Sequence, residues 1–289
     1  MVPMSVDLRR HEWQTAMDYV AAIEPVPATV RIACGSEPSQ WMDLFLPAGA
    51  GPFPLVILVH GGCWRTRASA ETLSPNAAEL AAAGIAACCL EYRRIGEDGS
   101  GYPGTYLDLG AAADALRGEA DRYGIDLSRV VIVGHSAGAH LALWLGARHR
   151  LPADSALRVP DPLMARTIVA VAGPGDLRRH ADLLAITCKG LTVDDVVGVA
   201  TPERPDRFAD TSPSDLLPLG VRTVSINAHY DDNWPPYVTA RWRIAALAAG
   251  DDAEELLLAD CGHFELVDVR EPAWGRVRDV IVAEIARTA

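Results

Sequence analysis

Residues 130–142 read Val-Val-Ile-Val-Gly-His-Ser-Ala-Gly-Ala-His-Leu-Ala, and this stretch decides which fold the chain adopts. Four branched apolar residues predict a buried strand, Gly-His-Ser-Ala-Gly predicts a sharp turn, and the alanine- and leucine-rich continuation predicts a helix. In so tight a turn, backbone packs against backbone, and a Cβ at Gly134 or Gly138 would collide with it. The turn presents the Ser136 hydroxyl at the carboxyl end of the strand, beside the first amides of the helix. Ser136 is a candidate nucleophile; the alternative is an ordinary glycine-lined turn.

Segments typical of strands alternate with segments typical of helices along the rest of the chain. The predicted strands cover residues 29–33, 41–46, 55–59, 85–90, 130–133, 167–171, 223–226 and 254–258. The predicted helices cover residues 1–24, 75–83, 105–122, 137–149, 237–249 and 273–286. The first two strands flank a turn and could form an antiparallel hairpin. The alternation predicts an α/β fold, in which a mostly parallel, doubly wound sheet carries helices on both faces. We expect a single domain over 1–289, with an N-terminal helical segment over about 1–24 and a small cap insertion over about 173–219.

Charge and composition exclude several classes of function. The net charge of −12 is spread along the 289 residues and argues against nucleic acid as a partner. Apolar runs are far shorter than the roughly 18 residues that a membrane span needs, and the first ten residues lack the apolar core of a signal peptide. A cytoplasmic protein without a membrane partner is therefore expected.

The six cysteines form no C-x-x-C pair, so buried free thiols are expected rather than disulfides or a zinc site.

A serine nucleophile needs a base, and the base needs a group that holds its tautomer. In doubly wound sheets such groups gather at the carboxyl ends of strands. Asp231 follows the predicted strand 223–226, and His263 alone among the eight histidines follows a late strand behind a glycine. These positions make His263 the candidate base. Asp231 and Asp232 both remain candidates for the acid, because neighbouring loop side chains point in different directions.

The sequence His-Gly-Gly-Cys-Trp at 60–64 follows another predicted strand. Its two glycines allow a close backbone approach, and fixed amides stabilise the negative oxygen that forms when a carbonyl is attacked. Gly62, Cys63 and Ala137 are the candidate donors of this oxyanion hole. Trp64 either lines the substrate pocket or packs beneath the loop.

These motifs resemble those of the α/β-hydrolase superfamily, and more narrowly of its HGGxW branch, which includes carboxylesterases and kynurenine formamidase-like enzymes. The matching segments run from about residue 40 to the end of the chain and include residues 60–64, 91–93, 102–104, 134–142, 212–213, the Asp231 loop and 262–264. The resemblance implies that Ser136 is the nucleophile, His263 the base and Asp231 the acid. The register of the family's acid loop favours Asp231 over Asp232.

The acid loop departs from the family pattern. Ala228 stands where the family has glycine, and Asn233-Trp234-Pro235 replaces the usual apolar pair before proline. Trp234 beside His229 and Tyr230 indicates a specialised pocket lined by aromatic side chains. The predicted substrate-binding residues are Trp64, His135, His229 and Trp234.

The expected function is that of a serine hydrolase that cleaves a small-molecule carboxylic ester or related acyl compound through an acyl-enzyme, without metal or cofactor. An arylformamidase acting on the amide of N-formylkynurenine is the alternative. A biosynthetic acyltransferase or cyclase, and a ligand-binding protein of the hydrolase fold that has lost turnover, are also left open. So is a homodimer.

Overall fold

A single eight-stranded sheet runs through the centre of this computed structural model, which describes residues 13–287. The strands are β1 Val30–Ala33, β2 Trp41–Phe45, β3 Phe53–Val59, β4 Ala86–Leu90, β5 Ile125–His135, β6 Thr167–Val171, β7 Arg222–Ala228 and β8 Ala253–Leu258. Their order in the sheet is β1-β2-β4-β3-β5-β6-β7-β8. β2 is antiparallel to both of its neighbours, and the strands from β4 to β8 are paired in parallel. The predicted α/β fold with a mostly parallel sheet is confirmed, and so is the antiparallel hairpin at its edge.

Eight α-helices accompany the sheet within the described residues. They are α1 Ala16–Ala22, α2 Ser74–Ala82, α3 Gly104–Tyr123, α4 Ala137–Ala147, α5 Ala181–Thr187, α6 Val193–Val197, α7 Tyr237–Ala248 and α8 Pro272–Arg287. Short 3-10 turns cover Ala70–Leu73, Arg148–Arg150 and Pro213–Leu216. α3 ends where Gly124 adopts a left-handed conformation with φ of 62°, a common way for a glycine to end a helix.

The two faces of the sheet bury separate apolar cores. Successive side chains of a strand point to opposite faces, so Val130 and Ile132 join one core while Val131 and Val133 join the other. α3, α4 and α7 cover the first face, and α2 and α8 cover the second. The last turn of α8 lies at the amino-terminal edge of the strands, where Glu284 contacts Arg222 at the start of β7 with an N–O distance of 3.0 Å.

The observed elements differ most from the sequence prediction at the start of β5 and in the first helix. β5 begins at Ile125 rather than at 130, because a register irregularity opposite Pro54 and Leu55 accommodates a polar stretch that reads as a loop. The predicted helix over 1–24 is observed only as Ala16–Ala22; residues 1–12 lie outside the described residues. The stretch 173–219 contains α5, α6 and the turn Pro213–Leu216. Among residues 13–287, no helix combines the length and apolar character that crossing a bilayer demands.

Candidate active site

Ser136 occupies the sharp turn between β5 and α4. Its backbone has φ of 58° and ψ of −121°, a conformation that costs free energy for any residue with a Cβ. The Ser136 amide donates to the carbonyl of Val171 at 2.8 Å, which fixes the turn against β6. A Cβ on Gly134 would collide with the carbonyl of Gly138, and a Cβ on Gly138 would collide with that of Val59. Only glycine at both positions therefore permits the turn that holds the Ser136 hydroxyl at the end of β5.

His263 and Asp231 form a buried hydrogen-bonded pair. His263 Nδ1 donates to Asp231 Oδ2 at 2.8 Å, and the residues are 3% and 4% exposed. The other carboxylate oxygen of Asp231 accepts from the amides of Asn233 and Trp234, each at 2.9 Å. These bonds hold the carboxylate and fix the His263 tautomer, so that Nε2 is the nitrogen available to exchange a proton. The neighbouring Asp232 is exposed and contacts the Asn233 side chain instead.

Ser136 and His263 open onto one cavity of about 730 Å³. Within the described part of the chain, no hydrogen bond joins the Ser136 hydroxyl to His263. Catalytic hydrogen bonds are often long in an enzyme without substrate and shorten when the substrate is bound. The evidence that Ser136 and His263 lie in one site is therefore that both line the same cavity.

The loop after β3 lies directly against the nucleophile turn. A Cβ on Gly61 would come within 2.8 Å of the His135 carbonyl oxygen and 3.0 Å of Ser136 Cβ. The backbone amides of Gly62, Cys63 and Ala137 donate to no backbone acceptor within residues 13–287. Unpaired amides beside the serine are the arrangement that an oxyanion hole requires.

His60 and Glu91 form a buried hydrogen-bonded pair that fixes the loop after β3. His60 Nε2 donates to Glu91 Oε1 at 2.8 Å, and Glu91 Oε2 accepts from the Ala70 amide at 3.0 Å. Burial raises the pKa of Glu91, but the charge and hydrogen bond of His60, the charge of Arg94 and the Tyr92 amide outweigh it, so the pKa is lowered. A buried carboxylate thus anchors the backbone that carries the candidate oxyanion donors.

His135 lies beside His263 and hydrogen-bonds to its backbone. Its Nε2 donates to the His263 carbonyl at 3.1 Å, and the two rings lie 4.5 Å apart between centroids. The pKa of His135 is lowered well below its ordinary value by burial and by the nearby His263. His135 is therefore neutral and lines the cavity as an uncharged ring.

Three of the four predicted substrate-binding residues lie outside the lining of the cavity at Ser136. Trp64 is 1% exposed and packs edge-on against His140 beneath the loop. Trp234 is fully buried, and its backbone amide donates to Asp231 while its carbonyl accepts from Asn227. His229 is exposed and packs against Tyr230. Only His135 reaches the cavity.

A disulfide corrects the expectation that the cysteines are free thiols. Cys63 and Cys188 are bonded through their sulfurs, and 125 positions separate them in the chain. Cys34, Cys88, Cys89 and Cys261 are free, as expected. The bond joins the loop after β3 to the end of α5, and no local spacing in the sequence indicates so distant a pairing.

Two regions of the cavity wall were not predicted. The N-terminal segment 13–20 lines one side, where Gln14 donates through its backbone amide to Glu265 and through its side chain to Asp268. Arg67, Ile186 and Lys189 line another part. Lys189 is the single lysine of the chain, and this is the one feature of the sequence that distinguishes any of these three residues.

The sheet order, the strained serine turn and the buried Asp–His pair define the α/β-hydrolase fold. Solved esterases share it: one from Thermogutta terrifontis superposes with a TM-score of 0.72 at 16% identity, covering 93% of this chain and 96% of that one. Esterase B from Lactobacillus rhamnosis gives a TM-score of 0.72 at 18% identity, covering 92% and 88%. The chain belongs to the BD-FAE family, whose profile matches residues 42–219.

Curated relatives carry names of esterases and of a formamidase. Isoprenylcysteine alpha-carbonyl methylesterase ICME of Arabidopsis thaliana is 33% identical over 118 residues, which cover 38% of this chain and 26% of that protein. Esterase LipC of Mycobacterium tuberculosis is 29% identical over 254 residues, covering 82% and 60%. Kynurenine formamidase avaC of Aspergillus versicolor is 35% identical over 134 residues, covering 43% and 44%. The matched segments thus span between about a quarter and three fifths of these relatives.

Proposed function

We propose that this protein is a serine hydrolase that cleaves a carboxylic ester through an acyl-enzyme intermediate. The observation that carries the proposal is the Asp231–His263 hydrogen bond of 2.8 Å, buried at the cavity that Ser136 lines. Membership of the BD-FAE family and the esterase names among the relatives support the same class of reaction.

In the proposed mechanism, Ser136 Oγ attacks the ester carbonyl while His263 Nε2 takes the hydroxyl proton. Asp231 holds the imidazole in the required tautomer and stabilises the imidazolium. The amides of Gly62, Cys63 and Ala137 donate to the oxyanion, a contribution worth about 3 kcal/mol for a single donor in comparable enzymes. His263 then protonates the leaving alcohol. In the second half of the reaction, water attacks the acyl-enzyme while His263 takes its proton, and His263 returns that proton to Ser136 Oγ as the acid is released.

The Ser136→Ala variant tests this mechanism. We expect kcat on an activated aryl ester to fall at least about 1,000-fold, because no nucleophile remains, and labelling by a fluorophosphonate probe to disappear. Ser128→Ala is the matched control, since Ser128 is exposed and its hydroxyl contacts Asp126 before the apolar part of β5. Undiminished hydrolysis by Ser136→Ala would disprove the proposal. Wild-type protein that binds but never turns over an ester would support the ligand-binding alternative.

A formamidase activity is the second candidate, and the match to kynurenine formamidase avaC favours it. The same residues would act, with His263 protonating an amine leaving group instead of an alkoxide. Comparing kcat/KM for an aryl ester with that for N-formylkynurenine decides between the two. A transferase would reveal itself if added alcohols or amines intercepted the acyl-enzyme faster than water.

We retain a homodimer and a cytoplasmic location as proposals. Light scattering on the purified protein tests the first, and cell fractionation tests the second. The Cys63–Cys188 disulfide makes the second test informative, because disulfides persist mainly in oxidising compartments and a cytoplasmic location requires this bond to survive in a reducing one.

A further inference from the structure

Three cationic side chains lie on or beside the loop after β3, and we name Arg65, Arg67 and Lys189 the cationic cluster. Arg67 and Lys189 line the same cavity as Ser136. Arg67 Nε donates to the carbonyl of Gly62 at 3.3 Å, in the same residue whose amide is a candidate oxyanion donor. Arg65 Nη1 donates to the carbonyl of Lys189 at 3.2 Å, which ties the cluster together across the loop and the end of α5.

Among the residues that the structure describes, the cationic cluster has no carboxylate partner. Within residues 13–287, no carboxylate oxygen lies within 4.0 Å of a charged nitrogen of these three residues. Arginines elsewhere in the fold are commonly paired, as Arg93 is with Asp108 at 2.6 Å and Arg148 with Asp114 at 2.6 Å. The chain carries 38 acidic residues against 26 basic ones, so a shortage of carboxylates does not explain the difference.

The described residues that line the cavity include more cationic than acidic side chains. Arg67 is exposed on the cavity wall, and its partial burial together with the nearby charge of Arg65 lowers its pKa. Among the described lining residues, Asp232 is the sole acid, and its carboxylate contacts Asn233 at 3.2 Å. The carboxylate of Asp231 is already engaged by His263 and two amides.

A positive cleft on a protein of net charge −12 has a specific physical consequence. The molecule as a whole repels anions, whereas unpaired cations in a concave wall attract and orient them locally. A guanidinium binds a carboxylate through two parallel hydrogen bonds, and an ammonium adds a point charge. Neither group gains comparably from an uncharged acyl chain.

We propose that the substrate is an anionic ester, whose acyl or alcohol part carries a carboxylate bound by Arg67 and Lys189 while Ser136 attacks the ester carbonyl. This inference rests on the proposed function and adds the charge of the substrate to it. Arg65 acts as a positioning residue, because its hydrogen bond to the Lys189 backbone holds that side of the cavity in place.

Two matched ester pairs test the inference. The first pair varies the acyl side, with para-nitrophenyl hydrogen adipate against para-nitrophenyl hexanoate. The second pair varies the alcohol side, with para-acetoxybenzoate against para-acetoxybenzamide. We expect the wild-type protein to show at least about a ten-fold higher kcat/KM for the anionic member of one pair, mostly through KM. That preference is worth about 1.4 kcal/mol and should shrink as salt is added.

Arg67→Gln and Lys189→Gln should each lower the anionic-to-neutral ratio of kcat/KM several-fold. Arg166→Gln is the control, because Arg166 is exposed, has no carboxylate partner within residues 13–287 and precedes β6 at the opposite edge of the sheet. The control should leave the ratio unchanged. Circular dichroism and a melting curve establish that each variant is folded.

The outcomes separate this inference from the proposed function. If wild-type protein hydrolyses the neutral esters without preferring either anionic one, the inference fails and the hydrolase assignment stands. An anionic preference that survives in both Arg67→Gln and Lys189→Gln overturns it as well. If none of the four esters is hydrolysed, both proposals fail.

Discussion

Asp231 and Asp232 are chemically identical neighbours whose carboxylates have different environments. Asp231 is 4% exposed and binds His263, whereas Asp232 is exposed to solvent. A buried carboxylate that holds an imidazole in one tautomer contributes about 10⁴-fold to kcat in serine hydrolases. The two positions therefore offer a matched pair of variants that differ in one contact.

We expect Asp231→Asn to lower kcat by about three to four orders of magnitude, because the amide can favour the wrong His263 tautomer. Asp232→Asn should change kcat on a neutral ester less than about three-fold. Steady-state kinetics on both variants, with circular dichroism to verify folding, checks this. Equal losses at the two positions would show that Asp231 does not orient the base.

The sequence indicates Ser136, Asp231 and His263 because each follows a predicted strand, and the carboxyl ends of parallel strands meet at one edge. It does not distinguish a buried tryptophan from one that lines a pocket. Trp64 and Trp234 occupy loops beside the site, yet both are buried by packing that only the folded chain defines. Side-chain burial in loops depends on distant elements, and the sequence pattern carries little information about it.

At the scale of elements, the Cys63–Cys188 disulfide connects the loop after β3 to the end of α5. The bond closes a loop of 125 residues, which lowers the conformational entropy of the unfolded chain. It also holds Lys189 near Arg65, so stability and cavity shape depend on the same link.

The double variant Cys63→Ala/Cys188→Ala should therefore unfold about 2–4 kcal/mol more easily than the wild type. Urea unfolding with and without a thiol reductant measures this. Reductant should destabilise the wild-type protein and leave the double variant unaffected. Cys34→Ala, which removes a free thiol, is the control. A wild-type protein insensitive to reductant after full reduction of the bond would contradict the prediction.

Regular strands and helices were predicted better than the segments between them. The apolar run of β6 is observed over the predicted residues, Thr167–Val171, because a central parallel strand is buried on both faces. The stretch 173–219 has no comparable periodicity. Its short helices α5 and α6 gain their stability from tertiary contacts, including the Thr187 hydroxyl bond to the Asn233 carbonyl at 2.6 Å.

At the scale of the whole molecule, buried histidines link the stability of the fold to pH. His140 is fully buried and its Nε2 donates to the Thr211 carbonyl at 2.8 Å. Burial lowers the pKa of His140 from 6.5 to about 4. The unfolded chain therefore binds a proton here between pH 6.5 and 4 while the folded protein does not. The neutral imidazole of His140 therefore contributes fully to the free energy of unfolding above pH 6.5, and this contribution is lost as the pH falls towards 4.

Consequently, wild-type protein should lose about 2 kcal/mol more unfolding free energy between pH 7 and pH 5 than His140→Gln does. The glutamine keeps a donor for the Thr211 carbonyl and removes the titrating group. Urea unfolding at the two pH values gives the comparison. His149→Gln is the control, because His149 is exposed in the 3-10 turn that follows α4. An equal pH response in wild type and His140→Gln would refute the assignment.

The two ends of the described chain lie on opposite sides of the sheet. The segment beginning at Trp13 lies along the cavity wall, whereas α8 ends beside Arg222 at the amino-terminal edge. A label attached to a residue of the segment 13–20 would therefore lie beside the cavity. The same label attached to the last turn of α8 would lie on the remote side. Immobilising the protein on a resin or an electrode through α8 would leave the cavity facing the bulk liquid.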